Sequence, residues 1–135
     1  MLSASSYKTP SVEEILHALQ TREGGAWTEA EMLAKFNLTP SNLQTLRNNF
    51  LVVSWPDQQG QLHYPKWQFA DTGALLPGVQ EVLRTFKSQD TWRIMSYFLG
   101  ARRQFQGLCA LFLLRKNKVT EVLAHAKLHY EENTW

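Results

Sequence analysis

Apolar residues recur at helical spacing along most of this chain. In residues 12–20 they stand three and four positions apart, which predicts a helix with one buried face. The apolar positions of this helix are Val12, Ile15, Leu16 and Leu19. Ser11 and Glu14 have the spacing of a capping box, so the helix is expected to begin here. Gly24 and Gly25 then interrupt the pattern.

Two short helices are predicted next. Thr28 and Glu31 repeat the capping-box spacing in front of an apolar group. That group consists of Met32, Leu33 and Phe36. Thr39 and Pro40 start a third helix over residues 40–49, because threonine caps helices and proline is favoured in the first turn. Its buried positions are Leu43 and Leu46. Two capped helices of this kind, the second polar outside, are typical of a helix-turn-helix.

A short β-hairpin is predicted after the third helix. Residues 51–55 are β-branched and aromatic, residues 56–60 contain a proline and a glycine, and residues 62–64 suit a return strand. A hairpin in this position corresponds to a wing. Its tip is expected to present His63 and glutamine side chains and little positive charge.

Three aromatic residues lie within six positions at residues 64–69. Pro65 prevents a continuous helix here, and a free linker gains nothing from exposing Tyr64, Trp67 and Phe69. We interpret this stretch as a packed joint between a polar N-terminal half and a helical C-terminal half. The alternative is a surface strand whose aromatic side chains belong to an ordinary core.

The second half of the chain is expected to be entirely helical. The predicted helices are 79–86, one that Asp90 caps and Gly100 ends, 105–114, and 119–129. Asn117 is expected in a left-handed conformation between the last two. The predicted fold is therefore mostly α, with a winged helix-turn-helix region in residues 1–66 and a compact four-helix module in residues 67–135.

The polar side of the third helix is the candidate for reading DNA. The residues predicted to contact bases are Ser41, Asn42, Gln44, Thr45, Arg47 and Asn48. Asparagine and glutamine side chains can pair with adenine, and arginine can pair with guanine. The formal net charge is +2, and residues 1–66 contain slightly more acidic than basic side chains. An ordinary solvent-exposed helix is the alternative interpretation.

Other functional classes find little support in the sequence. No nucleophile with a base or glycine-rich phosphate loop is recognisable, so we predict a protein that is not an enzyme and has no cofactor. His125 and His129 have metal-ligand spacing but no third ligand nearby, which favours a solvated helix face. Cys109 is the single cysteine and fits a reducing, cytoplasmic setting. Neither a secretory signal nor a membrane-spanning segment is predicted.

Several short motifs from residue 64 onward match the pattern of one known protein family. They are Tyr64-Pro65, Trp67-Gln68-Phe69, Pro77-Gly78-Val79, Val82-Leu83, Trp92, Phe98-Leu99, Phe105-Gln106-Gly107, Ala110-Leu111-Phe112-Leu113-Leu114 and Val122-Leu123-Ala124-His125-Ala126. With these motifs, residues 62–123 resemble the C-terminal domain of the Xre/MbcA/ParS family of bacterial antitoxins. The chain departs from the family pattern at four positions. Ala110 replaces a usual proline, Gln106 and Asn117 replace glycines, and Phe112 replaces a polar or acidic residue.

The resemblance implies an antitoxin of a type II toxin-antitoxin system. Such a protein is a homodimer that binds its own operator DNA through the N-terminal half and neutralises a RES-type, NAD-consuming toxin through the C-terminal half. The predicted partner-binding residues are Phe112, Arg115, Lys116 and Trp135. Two alternatives remain open, namely an orphan transcriptional regulator and a protein-interaction adaptor that does not bind DNA.

Overall fold

The computed structural model describes residues 11–86 and 91–133 of the 135-residue chain. This part of the protein is mostly helical, as predicted, and it contains a small three-stranded antiparallel sheet where a two-stranded hairpin was expected. The elements are α1 (Val12–Arg22), β1 (Ala26–Thr28), α2 (Glu29–Lys35), α3 (Pro40–Asn48), β2 (Trp55–Pro56), β3 (Leu62–Pro65), α4 (Val79–Thr85), α5 (Thr91–Leu99), α6 (Ala110–Arg115) and α7 (Val119–Asn133). Lys66–Gln68 and Arg103–Phe105 each form a short 3-10 helix.

The sheet has the strand order β1-β3-β2. Strand β1 was not predicted from the sequence, because three residues are too few to show an alternating pattern. Trp27 of β1 pairs with Tyr64 of β3, and Trp55 of β2 pairs with His63 of β3. The prediction of a strand over residues 51–55 is wrong, since β2 begins only at Trp55. The backbone of Val53 is bonded instead to a side chain described below.

The two faces of the sheet contact different groups of apolar side chains. On one face, Tyr64 packs with Met32 of α2 and Leu43 of α3, and all three are at most 1% exposed. On the other face, Trp55 belongs to the larger core that includes Leu16 of α1. The sheet therefore contacts the α2–α3 cluster with one face and the larger core with the other.

The larger core joins the two halves of the sequence. Leu16, Val53 and Trp55 from the first half lie in the same cluster as residues of α4 to α7. The buried members from those four helices are Val79, Val82, Leu83, Met95, Tyr97, Phe98, Leu99, Ala110, Leu111, Leu114, Val122 and Ala126. A domain boundary between residues 66 and 67 stays a prediction.

The third helix predicted in the second half differs from the structure. Residues 105–114 do not form one helix, because Gln106 and Gly107 have φ angles of 56° and 85°, which lie outside the right-handed helical region. A short 3-10 helix, a turn and α6 take its place.

Three smaller predictions concern single residues at helices. One is wrong, one is confirmed, and one lies outside the described residues. Ile15 was expected on the buried face of α1 but is 46% exposed, because that face centres on Leu16 and Gln20. Asn117 has a φ of 60° and ends α6 in the left-handed conformation that was predicted. The expected cap Asp90 lies outside the described residues.

Candidate nucleic-acid interface

Helix α3 begins at a side-chain cap and is anchored by one buried leucine. The hydroxyl of Thr39 accepts a hydrogen bond from the backbone N–H of Asn42 at 3.1 Å, and Pro40 occupies the first turn. Leu43 is completely buried against α2 and β3. In α2, Thr28 and Glu31 form the predicted reciprocal capping box. These contacts fix the orientation of α3 and determine which of its sides faces outward.

The outward side of α3 carries five of the six residues predicted to contact DNA. The exposed members of that set are Ser41, Asn42, Gln44, Thr45 and Asn48. No aspartate or glutamate occurs in α3. The hydroxyl of Thr45 donates to the carbonyl of Ser41 at 3.0 Å, which leaves its lone pairs free to accept. The surface therefore offers neutral donors and acceptors without a negative charge.

The sixth residue, Arg47, is held by contacts within the protein. Its Nη1 atom lies 3.1 Å from Oε1 of Glu29 and 2.6 Å from the hydroxyl oxygen of Tyr64. The Tyr64 hydroxyl in turn donates to Glu29 at 3.4 Å. Burial raises the pKa of Tyr64, against the opposing effect of the Arg47 hydrogen bond. Arg47 therefore links α2, α3 and β3, and its predicted contact with a base stays a prediction.

A cleft of about 600 Å³ opens beside this ion pair. It is lined by Thr28, Glu29, Ala30, Arg47, Gly60, Gln61 and Leu62. The start of α2, the end of α3 and the hairpin turn thus face one another across a single opening.

The hairpin turn is built around an acidic residue. Oδ1 of Asp57 accepts the backbone N–H groups of Gln59 and Gln61, each at 2.9 Å. Its Oδ2 lies 2.9 Å from Nε2 of His63. The hydrogen bond with His63, followed by the two backbone bonds, lowers the pKa of Asp57. His63 was expected at the tip, but it lies in β3, half-buried and stacked on Trp55 at 4.4 Å between ring centroids.

The aromatic joint is packed, as both interpretations of residues 64–69 required, and Tyr64 lies in strand β3. The stretch also contains a polar residue whose role was missed. Tyr64 and Trp67 are at most 1% exposed, and Gln68 is fully buried. The Gln68 amide accepts from the N–H of Val53 at 2.7 Å and donates to the carbonyls of Val53 and Pro65 at 2.9 and 3.0 Å. The sequence offered one signal for this role, a glutamine inside an otherwise aromatic run.

The residues predicted to bind a protein partner lie on and after α6. Phe112 is 41% exposed, and Nζ of Lys116 is 5.5 Å from its ring centroid. Arg115 forms an ion pair at 2.7 Å with Glu23, the residue that follows α1. Trp135 lies outside the described residues. Leu108 is 40% exposed, so two large apolar side chains lie exposed near the start of this helix.

The histidine pair of α7 packs more closely than expected. His125 and His129 are half-buried rather than on a solvated face, with Nδ1 of His125 2.8 Å from the Tyr97 hydroxyl. Burial strongly raises the pKa of Tyr97, and the Arg102 guanidinium lies 4.4 Å from its ring centroid. Within residues 11–86 and 91–133 no group of three or more candidate metal ligands occurs.

No model of a protein family matches the chain, and no curated protein or solved structure is significantly similar to it. In the part of the chain that the structure describes, none of the helices combines the length and the hydrophobicity needed to cross a bilayer.

Proposed function

We propose that this protein is a DNA-binding repressor of the antitoxin type, in which α3 reads bases in the major groove. Met32 of α2 and Leu43 of α3 are buried in one apolar cluster, and the β2–β3 hairpin follows α3 in the chain. This order supports a helix-turn-helix followed by a wing. The observation that carries the proposal is the exposed side of α3, which bears amides and hydroxyls and no carboxylate.

Several residues on the exposed side of α3 have a low helix propensity, which is unfavourable for a helix whose exposed side has no other role. Serine, asparagine and threonine are weaker helix formers than alanine, lysine or glutamate. Four of them nevertheless occupy exposed positions of one nine-residue helix, namely Ser41, Asn42, Thr45 and Asn48. Hydrogen bonding to base edges explains this choice, because an asparagine or glutamine amide can pair with adenine through two bonds. A carboxylate among them would be repelled by phosphate, and none is present.

The antitoxin part of the proposal rests on the resemblance of residues 62–123. In this proposal the protein is a homodimer in the cytoplasm of a bacterium. It represses its own operator and neutralises a RES-type, NAD-consuming toxin. The exposed side chains of Leu108 and Phe112, together with Lys116, support a protein-binding surface around α6. Arg115 would contribute from the same helix. Trp135 is included from its sequence alone.

The DNA-binding proposal is tested by fluorescence anisotropy with a duplex taken from upstream of the protein's own gene. Asn42→Ala and Gln44→Ala are each expected to weaken binding by about 1–3 kcal/mol, the usual value of a two-bond base contact. Gln104→Ala is the matched control, because it removes an exposed amide from the Arg103–Phe105 helix. Equal binding by the wild type and both α3 variants would overturn the role of α3.

A protein-interaction adaptor without DNA binding is the second candidate. It is favoured by the pairing of Arg47 with Glu29, because Arg47 is the one cationic side chain of α3. An adaptor would show no salt-dependent affinity for DNA and would co-purify with a protein partner. An orphan regulator would bind DNA specifically but would not bind a RES-domain protein encoded by a neighbouring gene.

A further inference from the structure

The ion pair between Glu29 and Arg47 is partly open to solvent. The side chains are 45% and 22% exposed, and the closest N–O distance is 3.1 Å. Pairs at this level of exposure contribute little to stability, because water and salt compete with them. Nη1 of Arg47 also donates to the Tyr64 hydroxyl at 2.6 Å, a contact that does not depend on the Glu29 charge. The pair can therefore exchange one anionic partner for another.

Arg47 lies at the edge of the side of α3 that is proposed to face DNA. It follows Gln44 by three residues, which places it beside Gln44 at the edge of the exposed side of α3. Its guanidinium borders the cleft of about 600 Å³ between the start of α2 and the hairpin turn. When a recognition helix enters the major groove, the helix before it crosses the sugar-phosphate backbone. A phosphate at this opening would compete with Glu29 for Arg47, since arginine binds phosphate and carboxylate in the same fork geometry.

We infer that Glu29 restrains DNA binding by holding Arg47 in an internal ion pair. The inference rests on the proposed function and adds a regulatory contact at the same surface. Glu29 acts in two ways, because it neutralises the cation of α3 and adds a negative charge close to a polyanion. Loss of the Glu29 charge releases the guanidinium to a phosphate, while Tyr64 keeps it positioned.

The salt dependence of binding distinguishes a released arginine from a simple change in net charge. Each additional phosphate contact steepens the slope of log K against log salt by about 0.9. The advantage of a variant with one more contact therefore shrinks roughly three- to fourfold when the salt concentration rises fourfold. A charge change that creates no phosphate contact alters the slope less, because it removes only a screened repulsion between the carboxylate and DNA.

The test compares Glu29→Gln with Glu31→Gln in full-length protein, using duplex DNA from upstream of the gene at four salt concentrations. Both variants remove one negative charge from the first turn of α2. Glu31 bonds to the backbone of Thr28, and glutamine preserves this capping contact. Glu29→Gln is expected to bind roughly three- to tenfold more tightly at low salt, with a slope steeper by about 0.9. Glu31→Gln is expected to alter the slope less.

Equal slopes for the wild type and Glu29→Gln, or equal gains for the two variants, would overturn the inference. Adding Arg47→Gln to Glu29→Gln is expected to abolish the gain, with folding checked by thermal unfolding. If that double variant does not fold, the two single-variant slopes decide alone. Binding by Glu29→Gln where the wild type shows none would support the restraint. If neither the wild type nor any variant binds DNA, the proposed function and this inference are both refuted. If the wild type binds DNA and Glu29→Gln binds with the same affinity and salt slope, the inference alone is refuted.

Discussion

Replacing Gln68 with leucine tests how the aromatic joint is held to the rest of the protein. Gln68 is fully buried and makes three hydrogen bonds of 2.7 to 3.0 Å with the backbones of Val53 and Pro65. Leucine has a similar size but can make none of them. The N–H and carbonyl of Val53 and the carbonyl of Pro65 would then remain buried without these partners.

The expected loss of stability is large. A buried backbone group without a partner costs about 1–3 kcal/mol, and three such groups set an upper bound near 9 kcal/mol. Small backbone shifts that admit water, and the more apolar leucine side chain, reduce the net cost to about 3–5 kcal/mol. This is a substantial share of the roughly 5–15 kcal/mol by which domains are stable. The midpoint of thermal unfolding should fall by about 10–20 °C.

Circular dichroism melts and urea titrations of the two proteins measure this difference. The matched control is Gln59→Leu, the same change at an exposed position of the hairpin turn, for which we expect a change within about 0.5 kcal/mol. If Gln68→Leu unfolds within about 3 °C of the wild type, the three bonds do not stabilise the joint as argued.

Two further predictions concern a close approach of the backbone and an acidic hydrogen-bond acceptor. Gly78 has a φ of 95°, and a Cβ there would lie 2.6 Å from Leu114 Cδ2, whereas Gly60 has a φ of 82° and open space around it. Chemical denaturation should show Gly78→Ala to be more destabilising than Gly60→Ala by about 1 kcal/mol or more; equal losses would contradict the close packing. The hydrogen bond between Asp57 and His63 lowers the pKa of Asp57 below 3.8. The stability that the Asp57 carboxylate contributes is therefore present above pH 3.8 and is lost as the pH falls through the lowered pKa. Melts between about pH 5 and pH 2 should therefore show the wild type converging on Asp57→Asn in acid, and a constant gap would count against the bond.

The parts of the fold that local sequence determines were predictable. Thr28 and Glu31 form their capping box within one turn, and Thr39 caps α3 three residues from its partner. These contacts depend on spacing alone. The burial of Tyr64 and Trp67 was predictable for a related reason, because a cluster of aromatic residues is stable only when it is packed.

The parts that depend on distant partners were not predictable from spacing. Glu29 and Arg47 are eighteen positions apart, and Gln68 reaches a backbone fifteen positions away. Nothing in either local pattern names the partner. The broken helix at Gln106 was missed because a left-handed glutamine is uncommon, whereas the neighbouring apolar residues favour a continuous helix.

Contact between DNA and the exposed side of α3 can be measured residue by residue, from the amide chemical shifts of the protein titrated with duplex DNA from upstream of its gene. We expect the largest shift changes in residues 41–48, smaller changes at the hairpin turn and none around Phe112. Shift changes confined to α6 and α7, or a titration in which the amide signals of α3 do not move, would show that α3 does not contact DNA.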